Sequence, residues 1–124
     1  MFQPTLLLQY VRDVATSTAF YAALLGRPAV EQSAVFALFP LGDGAVLGLW
    51  QRDDVKPAVS ADAGAAELAM VVPDAATVQR MHDQWQAQGV KIVQAPVTLP
   101  FGHTFVGVDV DGHRLRIYSR AVHG

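Results

Sequence analysis

The groups able to do chemistry in this chain are four histidines, eleven carboxylates and nine basic side chains; cysteine is absent. That absence removes disulfides, thiolate metal sites and cysteine nucleophiles. His82, His103, His113 and His123 fall in separate segments, and no two stand i and i+4 on one helix, the spacing that lets a helix grip a zinc ion. His82 follows Met81 on a helical stretch, where solvation is expected; His113 follows a turn glycine, and His123 is in the tail. His103 stands in Phe101-Gly-His103, which reads as a loop and leaves it a ligand donor, a lone acid–base group or a residue without a role. Ser17, Ser33, Ser60 and Ser119 have neither a nucleophile elbow nor an adjacent base. Gly42 and Gly44 belong to a hairpin, so no glycine-rich phosphate loop follows a strand.

The elements that must position these residues are written twice. Thr5 to Val11 reads as a strand, and a helix follows to Leu25, capped by Asp13, Thr16 or Ser17 and ended by Gly26, with Phe20, Ala23 and Leu24 as its apolar stripe. Val35 to Pro40 and Ala45 to Trp50 flank the hairpin signal Asp43-Gly44. Residues 51–64 are polar and read as a linker. The order then recurs: a strand from Glu67 to Val72, and a helix capped by Asp74, carrying Val78, Met81 and Trp85 on one face and ended by Gly89. A short strand from Val90 to Val93 precedes a proline-rich loop through Pro96 and Pro100. The strands Thr104 to Val108 and Arg114 to Tyr118 flank Asp111-Gly112. The spacing is 61 residues from Asp13 to Asp74, 63 from Gly26 to Gly89 and 68 between the Asp-Gly turns. A duplication with a loop insertion in the second copy, between Val93 and His103, gives that growing offset.

Composition bounds the class. At 124 residues the chain suits one compact domain able to bury roughly two-thirds of its unfolded surface. With 52% apolar and 16% charged residues it is too apolar to be disordered. A formal net charge of −2 without a basic block gives no support for nucleic-acid or acidic-lipid binding. The apolar region from Ala34 to Trp50 is broken by Pro40, Gly42, Asp43 and Gly44, whereas a membrane helix needs about 20 unbroken residues. No basic segment precedes an apolar stretch at the N-terminus, so a cytoplasmic location is expected.

Two strings carry a family resemblance. Tyr10-Val-Arg-Asp-Val-Ala-Thr-Ser-Thr-Ala-Phe-Tyr21 followed by Leu25-Gly26 resembles the first helix of vicinal-oxygen-chelate proteins, the glyoxalase and bleomycin-resistance superfamily. Asp109-Val-Asp-Gly-His-Arg-Leu-Arg-Ile-Tyr118 resembles their closing hairpin. The resemblance covers nearly the whole chain. It implies an α+β fold of two tandem βαβββ modules whose sheets curl into a cup: one domain over 1–124, with module one at about 4–52, a linker at about 53–65 and module two at about 66–120. It also implies a homodimer, in which modules often complete each other's cup. A narrower resemblance, to the phenazine-antibiotic resistance proteins of this superfamily, rests on Leu8-Gln-Tyr-Val11, Ser17-Thr-Ala-Phe-Tyr21, Phe39-Pro40, Leu49-Trp50 and Phe101-Gly-His-Thr-Phe105.

Enzymes of the superfamily hold a divalent ion with four side chains. The resemblance places those positions at Leu6, Gly48, Glu67 and Arg116. Leucine and glycine carry no donor, and arginine is a permanent cation, so no metal and no cofactor is expected. Arg116 and Glu67 either neutralise each other or present a guanidinium to an acidic group on a ligand. If those four positions face the cup, alternation places Leu8, Tyr10, Val46, Trp50, Ala69, Val71, Arg114 and Tyr118 there too. Gly48 would then leave room beside Trp50. The expected ligand-binding set is Leu8, Tyr10, Gly48, Trp50, Glu67, Phe101, His103, Arg116 and Tyr118, unless Trp50 and Tyr10 merely fill a closed core. Trp85 follows a helical stripe and reads as core. The expected function is sequestration of a planar aromatic antibiotic, phenazine-like, for resistance. Two alternatives stand beside it: a metal-independent isomerase or lyase using Glu67 or His103, and a structural or regulatory dimer with a filled cup.

Overall fold

The computed structural model describes residues 5–121. It contains two compact units with their boundary between Asp62 and Ala63. The first runs β1 (Leu6–Val11), α1 (Val14–Leu25), β2 (Glu31–Gln32), β3 (Phe36–Gly42) and β4 (Ala45–Gln51), closed by a 3-10 turn at Arg52–Asp54. The second runs β5 (Glu67–Val71), α2 (Ala75–Ala87), β6 (Lys91–Leu99), β7 (Gly102–Val108) and β8 (Arg114–Arg120). Their sheets have the same topology, β1-β4-β3-β2 and β5-β8-β7-β6. In each, the first strand pairs in parallel with the last and the other pairs are antiparallel. This is the βαβββ module twice over. No helix among the described residues is long and apolar enough to cross a membrane.

Local chemistry explains the shared elements. The Asp13 carboxylate accepts from the Thr16 amide at 3.1 Å and from the Thr16 hydroxyl, and Asp74 takes the amide and hydroxyl of Thr77 at 2.8 and 2.6 Å. Each satisfies helix N–H groups that have no intrahelical acceptor. Gly26 closes α1 in the left-handed region, φ 69°. At the hairpin tip Asp43 and Gly44 both have positive φ, 49° and 82°, which matches the twist of the flanking strands. Gln51 ties β4 to the start of α1: its side chain accepts from the Val14 amide at 2.9 Å and donates to the Arg12 carbonyl at 2.6 Å.

Each helix covers one face of its own sheet. Val14 and Tyr21 of α1 are buried together with Val11, Ala37, Phe39, Leu47 and Leu49. In the second unit Trp85 meets Phe105 edge-on at 5.1 Å, beside the buried Leu115 and Ile117. Gly107 is required there, because a Cβ would lie 2.9 Å from Val90 and 3.2 Å from the Trp85 ring.

Four expectations need correction. The buried stripe of α1 is Val14, Ser17, Thr18 and Tyr21, not Phe20, Ala23 and Leu24. The period of the helix selects positions i, i+3, i+4 and i+7, and two of these carry small hydroxyl residues. His82 is not solvated: it shares the stripe of Val78, Met81 and Trp85, its side chain is 12% exposed and its ring meets Phe105 at 5.5 Å. The proline-rich segment is not a loop but most of β6, which lies at the edge of its sheet and tolerates Pro96 where its register shifts. The longer second copy is thus absorbed by a nine-residue strand where the first copy has the two residues of β2. His103 is accordingly a strand residue, paired with Thr98 and Ser119. His123 lies outside the described residues.

Candidate ligand-binding site

Within the first unit, the face of the sheet turned away from α1 collects the residues that alternate with the buried set. The register pairs Leu8 with Gly48, Tyr10 with Trp50, Leu38 with Gly48 and Phe36 with Trp50. Leu8, Tyr10, Gly48 and Trp50 are therefore brought together on one apolar surface. Trp50 sits between two rings, Tyr10 at 6.2 Å and Phe36 at 6.4 Å. Both meet it nearly at right angles, 79° and 72°, so neither lies parallel on the indole. The indole N–H donates to the Asp54 carboxylate at 2.9 Å, which fixes the orientation of the ring. Tyr10 keeps 38% of its surface exposed and Leu6 49%. Gly48 does not leave a void beside Trp50. A Cβ there would meet Leu8 at 2.7 Å, Phe36 at 3.1 Å and Leu6 at 3.3 Å, so those side chains already occupy the space.

The helix-free face of the second unit is polar at its centre and aromatic at one end. Arg116 is its hub. Its Nε points at both Glu67 oxygens, 3.2 and 3.1 Å, and its Nη2 lies 3.0 Å from Oε2. Nη1 reaches the Gln94 side-chain oxygen at 3.4 Å and the buried Thr104 hydroxyl at 3.2 Å, and Thr104 in turn donates to the Ile117 carbonyl at 2.8 Å. The guanidinium carbon lies 5.6 Å from the centre of the Phe101 ring, and Phe101 meets Tyr118 edge-on at 5.9 Å. Phe101 is 44% exposed. Glu67, Phe101, Arg116 and Tyr118 thus form one cluster. His103 does not join it. It alternates with Thr104 and shares parity with Phe105, so it stands on the other face of β7, its Nδ1 3.1 Å from the Thr98 hydroxyl.

Sequence patterning missed Phe36, Asp54, Gln94 and Thr104. Parity along β3 would have found Phe36, but only once its register with β4 was known. Gln94 was hidden because the strand was read to end at Val93 and the rest of β6 as a loop. The Asp109–His113 turn gathers three possible metal-binding groups, Asp109, Asp111 and His113. Asp109 already accepts from the amides of Asp111 and His113, both at 2.9 Å, and its second oxygen lies 2.7 Å from the His113 ring, so the cluster locks the turn.

The four positions at which the family resemblance implies metal ligands fall as two neighbouring pairs. Leu6 and Gly48 touch on one sheet, and Glu67 and Arg116 are ion-paired on the other. Three of the four carry no usable donor, and the fourth is engaged by a cation, so these residues do not fit a metal.

Residues 4–117 match the Glyoxalase/Bleomycin resistance protein/Dioxygenase superfamily. The chain belongs to this superfamily. The phenazine antibiotic resistance protein EhpR of Enterobacter agglomerans is 28% identical over 117 residues, 92% of this chain and 89% of that protein. Protein ATC0852 of Agrobacterium tumefaciens, solved by NMR, is 43% identical with a TM-score of 0.90, over 98% of this chain and 100% of that one. A glyoxalase-related enzyme from Fulvimarina pelagi shares the fold at 23% identity and a TM-score of 0.84, over 97% of this chain and 89% of that one. The superfamily includes enzymes and resistance proteins alike, so the choice between them falls to the residues of the site.

Proposed function

We propose that this chain binds a planar aromatic antibiotic, phenazine-like, and holds it unchanged without a metal, lowering its free concentration. The observation that carries the reading is the Trp50 wall. An indole held by Asp54 stands between Tyr10 and Phe36 at steep interplanar angles, so three rings share one apolar surface. Flat heteroaromatic rings suit such an apolar, aromatic surface. The name of the Enterobacter relative supports the same ligand class. Sequestration needs affinity and no bond-making group. That agrees with Leu6 and Gly48 lacking donors, Glu67 being paired to Arg116, and His103 standing away from the Arg116 cluster.

The test is protection. Cells expressing the protein should tolerate a phenazine antibiotic at several-fold higher concentration, and the compound should be recovered intact from the protein. Protection accompanied by a chemically altered compound would instead support an enzyme.

A further inference from the structure

Arg116 looks at first like an anchor for an acidic ligand, but its bonding argues otherwise. A guanidinium recognises a carboxylate through two parallel N–H groups on one edge. In Arg116 the Nε–Nη2 edge is taken by Glu67, with contacts at 3.0–3.2 Å. The Nη1 donors are directed to Gln94 and Thr104. That leaves one N–H of Nη2, which cannot form a fork. Phe101 lies 5.6 Å over the group, and only 17% of the side chain is exposed. An incoming carboxylate would have to displace Glu67 and then stand beside it as a second, unpaired anion.

We infer that the ligand of this face is an uncharged planar ring, and that Glu67 sets this preference by occupying the anion-binding edge of Arg116. The inference rests on the planar-aromatic reading above. A neutral ring needs no broken ion pair. It can pack against the delocalised guanidinium and the exposed Phe101, contacts that Glu67 leaves in place. Glu67 is then a specificity-determining residue: removing its charge frees a cationic fork without removing the aromatic surface.

Phenazine and phenazine-1-carboxylate share one tricycle and differ by one acid, so they separate the two effects. By calorimetry at neutral pH, the wild-type protein should bind phenazine about tenfold more tightly or better than the acid, the size of effect expected from one charged hydrogen-bonded pair. In Glu67→Gln the affinity for the acid relative to that for phenazine should rise about tenfold. The gain should shrink as salt is added. The wild-type comparison stands even where the variant does not fold. If both compounds bind and the acid binds as tightly as phenazine, the inference is wrong while the planar-aromatic reading survives. If neither binds, the reading fails and the inference falls with it.

Discussion

Trp50 begins the binding account at the scale of single residues. Its N–H bond to Asp54 removes ring freedom before a ligand arrives, so less is lost on binding. Stacking contributes roughly 0.5–1.5 kcal/mol beyond area burial, and the indole adds apolar contact. Trp50→Ala should therefore weaken phenazine binding about tenfold or more, measured by calorimetry so that the lost fluorophore does not mislead. Trp85→Phe is the control and should leave affinity nearly unchanged, because that ring packs on Phe105 under the helix. Equal affinity of wild type and a folded Trp50→Ala protein contradicts the wall. The metal positions give a second residue-scale prediction. After exposure to zinc, nickel or manganese and buffer exchange, elemental analysis should find well under one ion per chain. A stoichiometric ion removable only by a chelator would overturn the metal-free reading. Much of this site was legible in sequence, because alternation from Gly48 leads directly to Trp50 and from Arg116 to Tyr118. What was not legible depended on pairing: Phe36 and Asp54 reach the indole through a register and a turn that no local pattern encodes.

At the scale of elements, the helices were readable because their ends carry chemistry. Asp13 and Asp74 begin them, and the hydrogen bonds from Thr16 and Thr77 hold both carboxyls below the ordinary value of 3.8. A carboxylate whose pKa is lower when folded stabilises the native state above its unfolded pKa. That contribution disappears as pH falls through the folded value. Asp13→Ala and Asp74→Ala should each lower Tm at neutral pH, and the difference from wild type should shrink on acidification below the carboxylate range. Asp13→Asn keeps an acceptor and should recover much of the loss at neutral pH. A Tm gap for Asp13→Ala that is constant from neutral to strongly acidic pH contradicts the capping role. Gly107 tests the packing of α2 on its sheet. Gly107→Leu would drive a side chain into Val90 and Trp85, costing about 1–3 kcal/mol by urea unfolding. The start of β6 was readable but its continuation past Val93 was not, because Pro96 normally argues against a strand and is tolerated here only at a sheet edge with shifted register. The stripe of α1 was misread for a related reason: apolarity pointed to Phe20, whereas geometry buries Ser17 and Thr18.

For the whole molecule, duplication was visible in the spacing of two Asp caps, two helix-ending glycines and two Asp-Gly turns, and the repeated sheet order bears it out. Each sheet ends in an edge strand with exposed apolar side chains, Leu6 and Leu7 on β1 and Met70 and Val71 on β5. Surfaces of this kind are covered in most proteins, and the family resemblance implies a homodimer. Light scattering at micromolar concentration should give about twice the chain mass of 13.3 kDa, and a clean monomer would contradict the dimer. The central claim is binding without transformation, and one measurement reaches it most directly. Purified protein is titrated with phenazine in a calorimeter, and the compound is then extracted and weighed by mass spectrometry. Saturable binding with quantitative recovery of unaltered phenazine is the predicted result. No binding, or a product of changed mass that accumulates with time, would contradict the account.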